Sequence, residues 1–109
     1  MDIDLKDKVP PHNLDAEQAA LGALLVDWNA LSDVVTSLHS DRFYSFQNQV
    51  IYEAMISLFK QNVHGDTLVL INELSKTGTL EQAGGTAYIA GLTDTVPTAA
   101  NINYYVDII

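Results

Sequence analysis

Cysteine is absent from the chain, so neither a disulfide framework nor thiolate chemistry is open to it. Cations are nearly as scarce: 5 Lys and Arg stand against 14 Asp and Glu, a net charge of -9 at pH 7. The five, Lys6, Lys8, Arg42, Lys60 and Lys76, are scattered and form no stripe. A surface of that charge repels a phosphate backbone, which argues against autonomous duplex binding and against single-strand binding. No apolar run approaches the roughly 20 residues of a membrane span. The opening Met1-Asp2-Ile3-Asp4-Leu5-Lys6-Asp7-Lys8 is charged and lacks the apolar stretch of a secretory signal. These absences lead to the expectation of a soluble, cytoplasmic domain with no membrane partner.

Apolar residues are plentiful. Of the 109 residues, 48% are hydrophobic, enough for the core of one compact domain and too many for a disordered acidic tail. Val9-Pro10-Pro11 blocks helix, so residues 1–12 read as a flexible N-terminal arm and residues 13–109 as a helical domain. Leu21, Leu24, Leu25 and Trp28 recur at i, i+3, i+4 and i+7, the stripe of an amphipathic helix. Asn13 or Asp15 can cap it, Asp15 with Gln18 resembles a capping box, and Asp15 and Glu17 favour the positive helix start.

Leu31, Val34, Val35 and Leu38 repeat the spacing behind an Asn29 cap, with Asp33 toward solvent. Ser45 is the next cap, ahead of Val50, Ile51, Ala54, Met55, Leu58 and Phe59. His64-Gly65-Asp66 breaks that stripe, and Asp66 caps a fourth helix carrying Leu70, Ile71 and Leu74, with Leu68 partly buried. Gly78 takes the left-handed stop. Thr79 and Gln82 bracket a short turn ended by Gly84-Gly85, and Tyr88, Ile89 and Leu92 form a sixth segment. After Pro97, Thr98 caps a seventh helix with Ile102, Tyr105, Val106 and Ile109 on one face. Period-two alternation is never sustained, so strands are excluded. The expected fold is all-α, a compact orthogonal bundle of about six or seven short helices.

Catalytic signatures are missing too. None of the glycines Gly22, Gly65, Gly78, Gly84, Gly85 and Gly91 precedes a lysine, and no G-x-G-x-x-G occurs, so nothing forms a phosphate cradle. His12, His39 and His64 are too far apart in sequence to place two metal ligands on one element. Asp2 and Asp4 suggest a calcium loop, but its sixth position needs glycine and holds Asp7. There is no G-x-S-x-G elbow, and His39-Ser40 is a chance neighbour pair. Close carboxylate pairs follow from the sheer number of acids. The expectation is a domain without catalytic, cofactor-binding or metal residues.

The order of the segments is distinctive. Val9-Pro10-Pro11-His12-Asn13-Leu14-Asp15-Ala16-Glu17-Gln18, followed by Leu21-Gly22-Ala23-Leu24-Leu25, resembles the opening of the N-terminal domain of DnaB-type bacterial replicative helicases. Asp41-Arg42-Phe43-Tyr44 and Ile51-Tyr52-Glu53-Ala54 follow in similar order and spacing, as do Leu80-Glu81-Gln82-Ala83-Gly84-Gly85 with Tyr88. Val96-Pro97-Thr98-Ala99-Ala100-Asn101-Ile102 with Tyr104-Tyr105 completes the series, so the resemblance spans residues 8 to 109.

That resemblance implies a helical head, truncated at the start of a helical hairpin, with the ATP- and magnesium-dependent motor domain absent. It implies a non-catalytic part of an ATP-dependent DNA helicase that unwinds duplex DNA at the replication fork. Self-association into a hexameric collar, primase recruitment, contact with a helicase loader and DNA binding belong to the full-length protein. The isolated head is expected to be a monomer or weak dimer that does not bind DNA. The alternative is an unrelated helical protein-interaction adaptor, and further off stands a small acidic enzyme or DNA-binding module. The residues that open the last helix, Tyr104, Tyr105, Ile108 and Ile109, are the candidate partner interface, although Tyr105 and Ile109 can equally pack on the head's own core. Tyr88 is expected in the core with its hydroxyl wet. Titration calorimetry with ATP at micromolar protein is expected to give no nucleotide-dependent heat, because no glycine-lysine cradle is encoded; a saturable signal would contradict this.

Overall fold

The structure, a computed structural model, describes residues 13–95 and 102–109. The expected arm over residues 1–12, the Pro97 loop and the Thr98 cap lie outside the described residues. Six α-helices occur among the described residues, with no strand. They are α1 (Leu14–Val26), α2 (Leu31–Val34), α3 (Phe46–Lys60), α4 (Thr67–Lys76), α5 (Gly85–Gly91) and α6 (Ile102–Ile108). Single 3-10 turns at Trp28–Ala30, Ser40–Arg42 and Leu92–Thr95 adjust the direction of the chain between them. The short turn expected from Thr79 to Gly84-Gly85 is present, closed by Ala83 N–H to Thr79 O (3.0 Å) and Gly85 N–H to Leu80 O (3.0 Å).

Local chemistry sets most of the boundaries. Asn13 Oδ1 accepts from Ala16 N–H (3.0 Å), Ser45 Oγ from Asn48 N–H (3.4 Å) and Asp66 Oδ1 from Val69 N–H (2.8 Å), so α1, α3 and α4 each start on a side-chain cap. The α1 cap is Asn13, which leaves Asp15 inside the first turn rather than in a capping box. At the end of α4, Gly78 has φ 74°, and Thr79 N–H and Gly78 N–H reach back to Leu74 O and Ser75 O. This pair of bonds satisfies the last carbonyls in the way a left-handed glycine permits. The same device ends α3 four residues before the expected His64-Gly65-Asp66 break. There Asn62 adopts φ 61° and Val63 N–H bonds Leu58 O (3.0 Å), a conformation that asparagine tolerates better than most residues.

Two expectations about the second and fourth helices fail. Asn29 caps nothing: it sits inside the 3-10 turn, and Ala30 at the start of α2 offers no side-chain acceptor. Of the expected stripe, Leu31, Val34 and Leu38 are buried while Val35 is half-buried beyond the helix end. Leu68 is 66% exposed, because Leu70 and Leu74 define the inward face of α4 and Leu68 falls outside it.

The largest departure is α1. A stripe was expected, but the run from Ala16 to Leu25 is buried almost continuously, Gln18 excepted. Ala19, Ala20, Gly22 and Ala23 carry little or no side chain, so neighbours approach the helix from several sides. It packs against α3, α6 and the Leu92–Thr95 turn. Leu21 and Leu24 from α1 join Ile51 and Met55 from α3, Leu70 and Leu74 from α4, and Ile89 from α5, all with no exposed surface.

Trp28 lies just beyond α1, buried against the loop that enters α4. A Cβ placed on Gly65 would lie 2.5 Å from the indole ring, so this position requires glycine for close approach. Gly65→Ala is expected to lower the unfolding free energy by about 1–3 kcal/mol through overpacking. Gly91→Ala, where an added Cβ meets nothing within 4 Å, is expected to be neutral or stabilising by up to about 1 kcal/mol. Urea denaturation followed by Trp28 fluorescence distinguishes the two.

Candidate functional site

Helix α6 divides the four candidate interface residues by its own periodicity. Ile102 is buried, and Tyr105, Val106 and Ile109 pack partly buried against the core. Tyr104 and Ile108 occupy the other face, 66% and 39% exposed. The rings of Tyr104 and Tyr105 meet edge to face, with centroids 5.8 Å apart and planes at 71°. Between this helix and the first half of α1 runs an open groove of about 480 Å³, floored by Ala16 and Ala19 and walled by Asn13, Asp15, Gln18 and the α6 side chains. Tyr104, Tyr105 and Ile108 line it, while Ile109 lies off it against the core. The arrangement is an apolar and aromatic strip beside a carboxylate and two amides, suited to protein contact.

Beneath that surface sits a polar centre that the sequence did not single out. Glu17 is 1% exposed, although it was expected only to complement the start of its helix. Its carboxylate accepts from Tyr44 N–H (2.8 Å), Ser45 N–H (3.3 Å) and Asn48 Nδ2 (2.9 Å). Tyr88 donates its hydroxyl to Asn48 Oδ1 (2.6 Å), so the phenol is bonded within the protein rather than wet. Burial raises the Tyr88 pKa and the Glu17 charge adds to the rise, while hydrogen bonds to Gln18 and Asn48 oppose it. One chain of contacts thereby ties α1 to the corner before α3, to α3 itself and to α5. No local pattern singled it out, because Glu17 shares its helix with Asp15 and Gln18 and its partners lie 27, 28 and 31 residues away.

Of the other ionisable groups, His39, Tyr52, Glu53 and Lys60 line one open groove of about 400 Å³ between α3 and the segment before it. Tyr52 donates to Leu38 O (2.7 Å), and burial pushes its pKa up to about 12, which keeps the hydroxyl protonated and unreactive near neutral pH. His39 and His64 are exposed on separate segments, the second with its ring 6.3 Å from Trp28. Among the described residues no group of three or more His, Asp or Glu side chains could hold a metal ion. Arg42, Lys60 and Lys76 each sit in the last turn of a different element. None of the helices described is long and apolar enough to cross a membrane.

Glu17→Ala removes the acceptor of three hydrogen bonds, the one from Asn48 being fully buried. Unfolding free energy is expected to fall by on the order of 3–5 kcal/mol, and Tyr88→Phe, which orphans one acceptor, by about 1 kcal/mol. Chemical denaturation monitored by circular dichroism measures both, and equal losses would contradict the central role of the carboxylate.

Comparison with known proteins bears on the whole of this head. A family model described as DnaB-like helicase N terminal domain matches residues 9–109. The replicative DNA helicase DnaB of Treponema pallidum is 46% identical over 106 residues, 97% of this chain and 24% of that protein. The replicative DNA helicase DnaC of Bacillus subtilis is 41% identical over 105 residues, 96% of this chain and 23% of that protein. The chain thus spans about a quarter of the length of these relatives. The crystal structure of the N-terminal domain of DnaB helicase from Mycobacterium tuberculosis superposes with a TM-score of 0.86 at 38% identity, covering 91% of this chain and 69% of that one. The all-helical head and the match over nearly its whole length place this chain in the DnaB-like helicase N-terminal domain family.

Proposed function

We propose that this chain is the non-catalytic head through which a replicative helicase assembles its hexameric collar and recruits primase. The observation that carries this reading is the match of one helical head, over residues 9–109, to the N-terminal domain of such helicases. The chain's own chemistry is compatible with it: a single buried core and an exposed α6 face. In this proposal ATP and magnesium act in a motor domain of the full-length protein, and DNA is bound there rather than on the acidic head. A helicase loader is a further partner of the full-length protein. The expected site is cytoplasmic.

Tyr104 and Ile108 are the residues proposed to meet a partner, with Tyr105 and Ile109 holding α6 in place. The strip they expose is small compared with the roughly 1,000 Å² of a stable interface. The 109-residue chain is therefore expected to sediment as a monomer or weak dimer at tens of micromolar, and the full-length protein as a hexamer. In the full-length protein, Tyr104→Ala with Ile108→Ser is expected to weaken capture of its own primase about tenfold, a loss of roughly 1.4 kcal/mol. A discrete hexamer of the 109-residue chain would refute the expectation that the collar needs its helical hairpin to assemble. Undiminished primase capture by the double variant would move the contact elsewhere.

A further inference from the structure

A second groove lies on a different face, between α3 and the C-terminal half of α4, with a volume of about 320 Å³. Its α3 wall is one stripe: Phe46, Val50 and Ala54 follow one another at i, i+4 and i+8, and Glu53 flanks them. The opposite wall holds Glu73 and Thr77. Phe46, at the head of the stripe, leaves 61% of its surface in water and takes no part in packing the core. Nothing in the local fold requires an exposed phenylalanine there, since Ser45 already caps the helix.

The electrostatics of the groove are one-sided. Two carboxylates and no cationic side chain line it, with Lys76 in the last turn of α4 as the nearby cation on that helix. The Glu73 carboxylate has no hydrogen-bond or ion-pair partner among the described residues, and Glu53 takes only the Ser40 hydroxyl (3.0 Å). From Phe46 to Ala54 the apolar stripe of the α3 wall runs about 12 Å at 1.5 Å per residue, a little over two helical turns. An apolar stripe of that length between acidic walls complements an amphipathic helix whose apolar face is bordered by Lys or Arg.

We propose that the α3–α4 groove docks a cationic amphipathic helix of a partner protein, with Phe46 as its apolar anchor and Glu73 and Glu53 pairing with its basic side chains. This surface is separate from the α1–α6 groove, and the inference does not rest on the assembly or primase reading. Its failure would leave both intact.

The test uses the whole 109-residue chain and a synthetic helical peptide of about four turns with Leu and Lys at amphipathic spacing. Its counterpart carries Glu in place of every Lys. The expected result is saturable one-to-one binding of the Lys peptide, at least tenfold tighter than the Glu peptide. Because an acidic protein attracts any polycation, the variants carry the decision. Glu73→Lys and Phe46→Ser should each weaken binding about tenfold, with helical circular dichroism unchanged. Asp33→Lys, the same charge change on α2, and Leu68→Ser, an equally exposed apolar residue of α4, should change it less than twofold. Amide shift perturbations should gather on α3 and the end of α4. No binding, losses of equal size from Asp33→Lys, or an undiminished affinity of Phe46→Ser would each overturn the proposal.

Discussion

The carboxylate of Glu17 accepts three hydrogen bonds from the segment that opens α3, and the surrounding architecture brings these donors to it. Two of the donors are the backbone N–H groups of Tyr44 and Ser45, where the chain turns into its longest helix. The third is Asn48 in the first turn of that helix, which in turn receives the Tyr88 hydroxyl from α5. An ion in this position is stable only when its lone pairs are occupied. The head must therefore close around α1 in one register, since a shift of either partner strands the charge. Apolar packing supplies the driving force for collapse, and the polar centre selects which collapsed arrangement survives.

The parts of the fold that could be read in advance are those whose partners lie within one helical turn. Asn13, Ser45 and Asp66 cap helices through bonds that span three residues, and Gly78 ends one through bonds spanning three to five. These depend on neighbouring residue types and little else. The misses have longer reach. Glu17 finds its acceptor role 27, 28 and 31 residues away, which no local pattern reveals. Periodicity located the apolar positions of α1 but not their surroundings, because a helix rich in alanine is covered on all sides only once its neighbours arrive. Leu68 and Asn29 failed for a related reason: each fitted a template locally, and the faces chosen by Leu70 and by Leu31 overruled it.

At the α6 surface, the distinction between anchoring and exposed residues was available from spacing alone. Ile102, Tyr105 and Ile109 recur at i, i+3 and i+7 and turn inward, which leaves Tyr104 and Ile108 outside. What spacing could not supply is the groove, since its other wall belongs to α1, more than eighty residues earlier in the chain. Membership of the DnaB-like helicase N-terminal domain family came from the order of many short segments, each unremarkable alone.

Helix α1 also has a mechanical meaning. It touches α3, α6 and the Leu92–Thr95 turn, and its alanines and glycine leave no slack between it and them. A push or pull on α6 passes through Ile102 into this axle, and the axle cannot bend without opening voids on several sides at once. A change of bulk anywhere along α1 is thus felt on several faces of the head at once.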